Sequence, residues 1–581
     1  MMSEYRNYLS MNYLLKSIFG ISILVILTST FLNRIDYQDS WILNGIELQY
    51  VFFIASYFIL FLYTNDVNKL LILSIISRFV LLLIPNIKYE FFLGRSMDQH
   101  IQYLLSRDIL QDGIIGLIKN YVNLPTGRYY IESPLFHTSI TSVSIATGLD
   151  LITVYKYFPI VINILYPLYF YSIIDKLNFK NVNYIKYSIF LTSLPLNKGL
   201  TYIVTGAMFV FLYLLGLFNQ YLSLIKNPDR VNYIVFILLV IGSTMSHPIE
   251  TLNFLGIMMV VSIVLNYFNN FSKDYLIRQI FIGLVINLSW VSLREMQFSY
   301  FTNLFRSVDI TEAPITPTFF ILLRTSVIDT IKVLVSRFGS DMFFSVLIAV
   351  SFYYLFRKIR ENNISEDYRF ISIFFLVVAA LTFTGFILGI AFSYFARTFR
   401  FYYFIIVIFS GYLFNHIKDK NGKLVMPLIF VVVLILSSME FYSAPILTPS
   451  ASIIFPVAED TPIVNSGEVN SIYQREMISY TYNHFEGRIA CDAVTRNQVM
   501  GLTDPQYFSY ATWFYPPNVE IYPGVEVKEY DVFMIHLPGI SGSFEETALV
   551  RDRATILDQI YREDLDLVYS NSQSFVLYNG S

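Results

Sequence analysis

Five residues able to do acid–base or metal chemistry fall close together in the first quarter of the chain: Asp98, His100, Asp108, Glu132 and His137. The first three belong to GRSMDQHIQYLLSRDILQDG, and the last two flank the proline in GRYYIESPLFHTS. A carboxylate in such company can take a proton from a hydroxyl as general base, or hold a divalent cation. Each residue also has a plain structural alternative. Asp98 sits where an N-cap or first-turn acid completes a helix, a role worth about 1 kcal/mol. Glu132 also reads as a solvated loop acid.

A second group is scattered along apolar sequence. His247 and Glu250 lie in GSTMSHPIETLNF, where two apolar stretches meet at a proline. Ionisable groups at membrane depth are costly and are functional candidates by default; a histidine closing a proline-broken helix end is the structural alternative. Arg397 and Arg400 lie in YFARTFRFYYF. The planar guanidinium fork matches a phosphate with two parallel hydrogen bonds, while snorkelling to lipid headgroups is the alternative. Arg78 stands mid-run in SIISRFVLLL and needs a partner that the sequence alone does not name.

What must position these side chains is a set of membrane helices. Of 581 residues, 55% are hydrophobic and only 14% charged, with a mean hydropathy of +0.54. A soluble domain carries about a quarter charged residues, so the surplus apolar surface needs a lipid solvent. Blocks such as VFFIASYFILFLY and IFVVVLILSS suit a hydrocarbon core of about 30 Å, which takes about 20 helical residues. Lipid offers no partner to a backbone N–H or C=O, so runs of this kind are helices; the alternation of a membrane barrel is absent. The net charge of −3 gives no footprint for nucleic acid. A single cysteine, Cys491, excludes an internal disulfide and a cysteine-based metal cluster. The cofactor question stays open, with Asp98 the expected ligand if a divalent cation is used. Arg6 and Lys16 precede the first apolar block with no small-residue cleavage site after it, which reads as a retained signal-anchor helix.

Basic residues collect in cytoplasmic loops, and that rule selects a topology. Spans are expected near 14–32, 46–63, 70–84, 151–173, 184–196, 201–225, 231–246, 250–268, 277–292, 342–357, 369–391, 399–416 and 424–440. DKLNFKNVNYIK, KNPDR, NNFSKDYLIR, RKIRENNISEDYR and NHIKDKNGK then all fall inside. Residues 134–147 are short and rich in Ser and Thr; counting them as a span would move those basic loops outside, so an interfacial helix is expected there. FFILLRTSVIDTIKVLVSRF is read the same way. The expected fold is a polytopic α-helical membrane protein of about 13 transmembrane helices, with the N-terminus cytoplasmic. Its membrane region, 1–440, carries exterior loops at 85–150 and 293–341. A Pro-rich linker at 441–465 leads to a small exterior soluble α/β domain at 466–581. Within that domain QREMISYTYNHF and ATILDQIYRED read as helices, RIACDAV and YDVFMIHL as strands, and LDLVYSNSQSFVLYN as a hairpin.

No Walker loop, dinucleotide fingerprint or zincin helix occurs, which disfavours a nucleotide-fuelled pump and an enzyme with a Rossmann domain. A first large exterior loop with an acid near its start, MDQHIQYLLSRDILQDG, is followed by YIESPLFHTSITSVSIATGLD and then by a span opening LITVYKYFPIVINIL. This layout resembles the GT-C superfamily of membrane glycosyltransferases, which includes dolichyl-phosphate-mannose protein mannosyltransferases and bacterial lipid aminoarabinose transferases. It is most similar to prokaryotic members in which Asp-x-His opens the loop helix. The resemblance implies transfer of a sugar from a polyprenyl-phosphate carrier to a glycan, lipid or protein acceptor, at the outer face of a prokaryotic plasma membrane.

Carried over by position, the resemblance makes Asp98 the catalytic base or metal ligand, with His100 beside it. Glu132 takes the place of a loop carboxylate ahead of the proline, and Arg397 or Arg400 holds the lipid phosphate. His137, His247 and Glu250 are the remaining substrate-binding candidates. The chain departs from the family in having Asp98-Gln99 where a doubled acid is common. It also lacks the Trp-rich acceptor motif of oligosaccharyltransferases. The alternatives are a transporter or flippase for a lipid-linked glycan, which should show paired broken helices and internal repeats, and a non-catalytic envelope protein.

Overall fold

A computed structural model describes residues 2–33, 46–88, most of 102–113, 133–177, 182–193, 206–269 and 274–294. It also describes isolated positions between 346 and 411, the stretch 472–485, and strands between 489 and 578. The expected spans beyond 342, the second exterior loop from 295 onward, the linker and the helix expected at ATILDQIYRED lie outside the described residues, apart from those isolated positions.

The apolar runs fold as helices α1 (Met2–Leu32), α2 (Glu47–Tyr63) and α3 (Val67–Lys88). A short α4 (Leu135–Thr147) precedes α5 (Leu151–Lys176), α6 (Val182–Ser193) and α7 (Gly206–Lys226). Then come α8 (Arg230–Ser246), α9 (Pro248–Asn269) and α10 (Asp274–Ser292). Among the described residues five helical stretches are long and apolar enough to cross a membrane: Tyr13–Leu32, Val67–Lys88, Leu151–Lys176, Met208–Lys226 and Tyr275–Ser292. With the shorter apolar helices Glu47–Tyr63, Arg230–Ser246 and Pro248–Val264, they make this a helical membrane protein.

Local chemistry sets the helix ends. Asp66 leads into α3 by accepting from the Asn68 amide at 3.0 Å and pairing with Lys69 at 3.0 Å; the hydrogen bond from the Lys69 side chain holds its carboxyl below the usual value. Gly148, at φ 68°, closes α4 in the left-handed region that favours glycine. Two residues on, Asp150 caps α5 through the amides of Ile152 and Thr153. At 13 residues α4 is about 20 Å long, too short for the hydrocarbon core. It buries Phe136, His137, Ile140, Thr141 and Ser144 along one face and exposes Val143 and Ile145.

Lipid is as apolar as leucine, so these helices associate through close packing and buried hydrogen bonds. Phe19 of α1 stacks on Phe53 of α2 at 5.7 Å, beside a Ser22–Ser56 hydroxyl bond of 2.7 Å. Tyr57 of α2 stacks on Phe190 of α6 and donates to Ser193 Oγ at 2.8 Å. The hinge of the α7–α8 pair is fastened by Gln220, which donates to Asn232 Oδ1 at 2.7 Å.

One end of the bundle gathers lysines on helix C-termini. Lys186 donates to the Leu62 and Thr64 carbonyls at 2.6 and 2.7 Å, and Lys176 to the Asn219 carbonyl at 3.1 Å. Tyr275, opening α10, donates to Leu224 near the end of α7. Cations suit the negative end of a helix dipole. The other end gathers the N-termini of α5, α7 and α9, together with α4.

Among the described residues of the C-terminal part, α11 (Ile472–His484) precedes strands β1 (Ile489–Asp492), β2 (Ala511–Phe514), β3 (Val532–His536), β4 (Asp566–Ser570) and β5 (Ser574–Tyr578). They form one sheet in the order β2-β1-β3-β5-β4. β1 runs parallel to β2 and β3, while β5 pairs antiparallel with β3 and β4. The hairpin expected at LDLVYSNSQSFVLYN is β4–β5, with a bulge between Leu567 and Tyr569. Helix α11 lies on the sheet: Tyr480 donates to the Val568 carbonyl at 3.2 Å and stacks on Tyr569 at 4.6 Å.

Candidate functional site

The α8–α9 junction is the sharpest feature of this second end. α8 ends at Ser246 and α9 begins at Pro248, so a single extended residue, His247, makes the break. Its amide donates to the Ser243 carbonyl at 2.9 Å, and its own carbonyl accepts from the Thr251 amide at 3.2 Å. Proline suits the first position of α9 because its missing N–H would have had no helical partner. Glu250 then falls in the first turn, where the helix dipole favours an acid. It is buried to 1% exposure, whereas His247 is half-buried.

Asn287 of α10 staples this break. Its side-chain amide donates to Thr244 Oγ1 at 3.0 Å and to the Pro248 carbonyl at 2.9 Å, one contact on each side of His247. The break is therefore held rigidly, and the acid and the imidazole ride on a fixed frame.

Three further elements meet the junction at Gly206, the first residue of α7. A Cβ there would lie 3.2 Å from the Ser246 carbonyl oxygen, 3.9 Å from Phe136 Cβ and 4.0 Å from Gln102 Nε2. A side chain there would require the Ser246 carbonyl to give by a few tenths of an ångström, so glycine suits the close approach. The Gly206 amide donates to Gln102 Oε1 at 2.8 Å. Phe136 carries with it His137, buried to 2% and edge-on to the Phe136 ring at 5.5 Å.

Of the residues expected from sequence, the structure brings His137, His247 and Glu250 to this one end of the bundle. Asp98, His100, Glu132, Arg397 and Arg400 lie outside the described residues. Asp108 is buried beside Arg107 at 3.4 Å, which suits an ion pair within the helical stretch it occupies. Among the described residues no three His, Cys, Asp or Glu side chains gather to hold a metal ion. Gln102, Gly206 and Asn287 were missed by sequence reasoning. All three are uncharged, and the only signal for any of them is the four-residue spacing of Gln102 from Asp98.

Arg78 finds its partners deeper in the bundle. Its guanidinium donates to Asn163 Oδ1 at 2.7 Å and to the Thr192 carbonyl, and lies 5.2 Å from the centre of the Tyr166 ring. Thr192 is in the last turn of α6, shortly before Leu194-Pro195. The carbonyls of a helix's last turn have no donor within their own helix. Arg78 supplies a donor where the helix cannot.

The fold defines a helical membrane protein with a rigid polar junction at one end of its bundle. No family model and no curated protein matches the chain. Among solved structures it is similar to the oligosaccharyltransferase of Archaeoglobus fulgidus tethered to an acceptor peptide containing the NVT sequon, at 10% identity and a TM-score of 0.48, covering 89% of this chain and 74% of that one. The same enzyme complexed with zinc and sulfate matches at 9% identity and a TM-score of 0.39, covering 70% and 59%. Likenesses this loose transfer no residue role to this chain.

Proposed function

We propose that this chain is a membrane glycosyltransferase that moves a sugar from a polyprenyl-phosphate carrier to an acceptor at the outer face of the membrane. One observation carries the reading. The buried polar groups Gln102, His137 and Glu250, with half-buried His247, lie at a single end of the bundle near Gly206, opposite the end where Lys176 and Lys186 bind helix carbonyls. A polar, rigid junction at a bundle end suits a substrate whose reactive group sits at headgroup level and whose tail stays in lipid. The sequence resemblance to the GT-C superfamily points the same way.

In the proposed reaction Asp98 takes the proton of an acceptor hydroxyl. The freed oxygen attacks the anomeric carbon as the bond from that carbon to the carrier phosphate oxygen breaks. The polyprenyl phosphate leaves with the bonding pair and is held by Arg397 or Arg400, and the anomeric centre inverts. In this reading His100 and Glu132 are the further catalytic candidates, while His137, His247 and Glu250 bind the sugar or its acceptor. A divalent cation on Asp98 would serve the same charge balance.

The test is to supply purified protein with a polyprenyl-phosphate-linked sugar and an envelope extract of a prokaryotic host. An acceptor whose mass rises by one sugar supports the reading. Movement of intact lipid-linked glycan across a vesicle bilayer with no such mass change replaces it with the flippase alternative.

A further inference from the structure

We propose that the α8–α9 break carries a binding site for one neutral hydroxyl, built from Asn287 Oδ1 of α10 and the Thr244 hydroxyl of α8. The occupant is an internal water molecule or a hydroxyl of the sugar; the second case rests on the proposed transfer reaction and the first does not.

The Asn287 side-chain nitrogen has two N–H groups, and both are used, toward Thr244 Oγ1 at 3.0 Å and the Pro248 carbonyl at 2.9 Å. A carbonyl only accepts, so the amide is fixed with its nitrogen toward Pro248 and cannot be turned round. Oδ1 is left as an acceptor on a side chain of 0% exposure, with no hydrogen-bond partner among the described residues. Pro248 has no N–H, so the break itself offers no donor at that position. Thr244, 1% exposed, is in the complementary condition. Its oxygen accepts from Asn287, and among the described residues its own proton goes to no acceptor. The carbonyl one turn back, that of Val240, accepts from Ser243 Oγ at 3.0 Å.

An acceptor and a donor thus stand side by side, joined through the Asn287 nitrogen. A hydroxyl donates one proton and accepts another, so a single one satisfies both groups at once. Both groups are neutral, which suits a neutral occupant. Lipid supplies no partner to such groups from outside, and buried polar atoms in folded proteins are nearly all paired, many of them by internal water. Thr244 stands three residues before His247, and Pro248 follows it directly. The occupant therefore sits at the break that carries His247 and Glu250.

The experiment is cryo-electron microscopy of the full chain in lipid nanodiscs, at a resolution that shows ordered water. Wild type and Thr244→Val are each imaged alone and with polyprenyl-phosphate-linked mannose. Valine keeps the shape of threonine and leaves the Asn287–Pro248 bond in place, so the fold should survive while the hydroxyl donor is removed. The expected result is a peak within hydrogen-bond distance of both Asn287 Oδ1 and Thr244 Oγ1 in wild type, lost in Thr244→Val. A peak in wild type alone that persists with the carrier is a resident water. A peak continuous with sugar density, seen only with the carrier, makes the site a sugar subsite. No peak in either wild-type map overturns the site, as does a peak unchanged in Thr244→Val. A protein that transfers no sugar removes the sugar arm alone, because the peak in the carrier-free map does not depend on that reaction.

Discussion

Arg78 of α3 donates to Asn163 Oδ1 of α5 across 2.7 Å, and the Asn163 amide in turn donates to the Pro159 carbonyl one turn back at 2.7 Å. Pro159 lies inside α5, where it withholds an N–H from the helix ladder. The pair therefore links a cation in the middle of one helix to a proline-weakened turn of another. The same guanidinium holds the last turn of α6 at Thr192. Three helices are fixed by one side chain with hydrogen bonds to neutral acceptors.

Arg78→Leu leaves the Asn163 oxygen and the Thr192 carbonyl without this donor, at about 1–3 kcal/mol for each buried group left unsatisfied. Thermal unfolding in detergent should show a large drop in Tm. Adding Asn163→Leu should cost less than the sum of the two single changes, because the partners belong to one network. Strict additivity would mean that the two residues do not act together.

Lys186→Met should destabilise in the same assay, because it removes a charged donor shared by the Leu62 and Thr64 carbonyls. Hydrogen bonds to charged groups contribute about 1.5–3 kcal/mol each. Lys186→Arg should recover much of the loss, since it keeps the charge at the α2 terminus. If methionine is as stable as lysine, α6 does not brace the end of α2.

Two glycines should respond in opposite directions. A Cβ at Gly242 would lie 2.6 Å from the Tyr213 ring, so Gly242→Ala forces α7 and α8 apart and should cost about 1–3 kcal/mol. Gly256, in the interior of α9, has nothing within 4 Å of a Cβ. Gly256→Ala should stabilise by about 0.5–1 kcal/mol. Equal effects at the two sites would contradict the packing of α7 on α8.

The side of the membrane on which the C-terminal part lies is open to direct labelling. His484 is exposed at the end of α11, so His484→Cys in a Cys491→Ser background places one thiol at the surface. An impermeant maleimide should label it in intact cells if the domain is exterior; labelling only after lysis would reverse the topology.

Much of the helical layout was legible because apolar runs long enough to cross a bilayer have few other fates. VFFIASYFILFLY is α2, and the Ser/Thr-rich 134–147 stretch is the short α4. The hairpin LDLVYSNSQSFVLYN announced itself by alternation around Asn-Ser-Gln. Strand β2, ATWF, did not: four residues between DPQYFSY and YPPN carry too little period to stand out. At the site, His247 and Glu250 were visible because ionisable groups are rare in apolar sequence. Asn287 and Gln102 were not, since a neutral amide in a helix looks like any other polar position. Arg78 was conspicuous, but its partners stand 85 and 114 residues away. One of them is a backbone carbonyl in the last turn of α6, which no side-chain pattern encodes.

The central claim is sugar transfer from a polyprenyl-phosphate carrier with Asp98 as base, and the most direct measurement is release of polyprenyl phosphate followed by mass spectrometry. Wild type and Asp98→Asn would be run side by side on the same lipid-linked sugar and acceptor. The account predicts release by wild type and a loss of about 100-fold or more in the asparagine variant, the scale of a missing general base. Equal release from both would remove Asp98 from the chemistry. Absence of release from wild type would contradict glycosyl transfer itself.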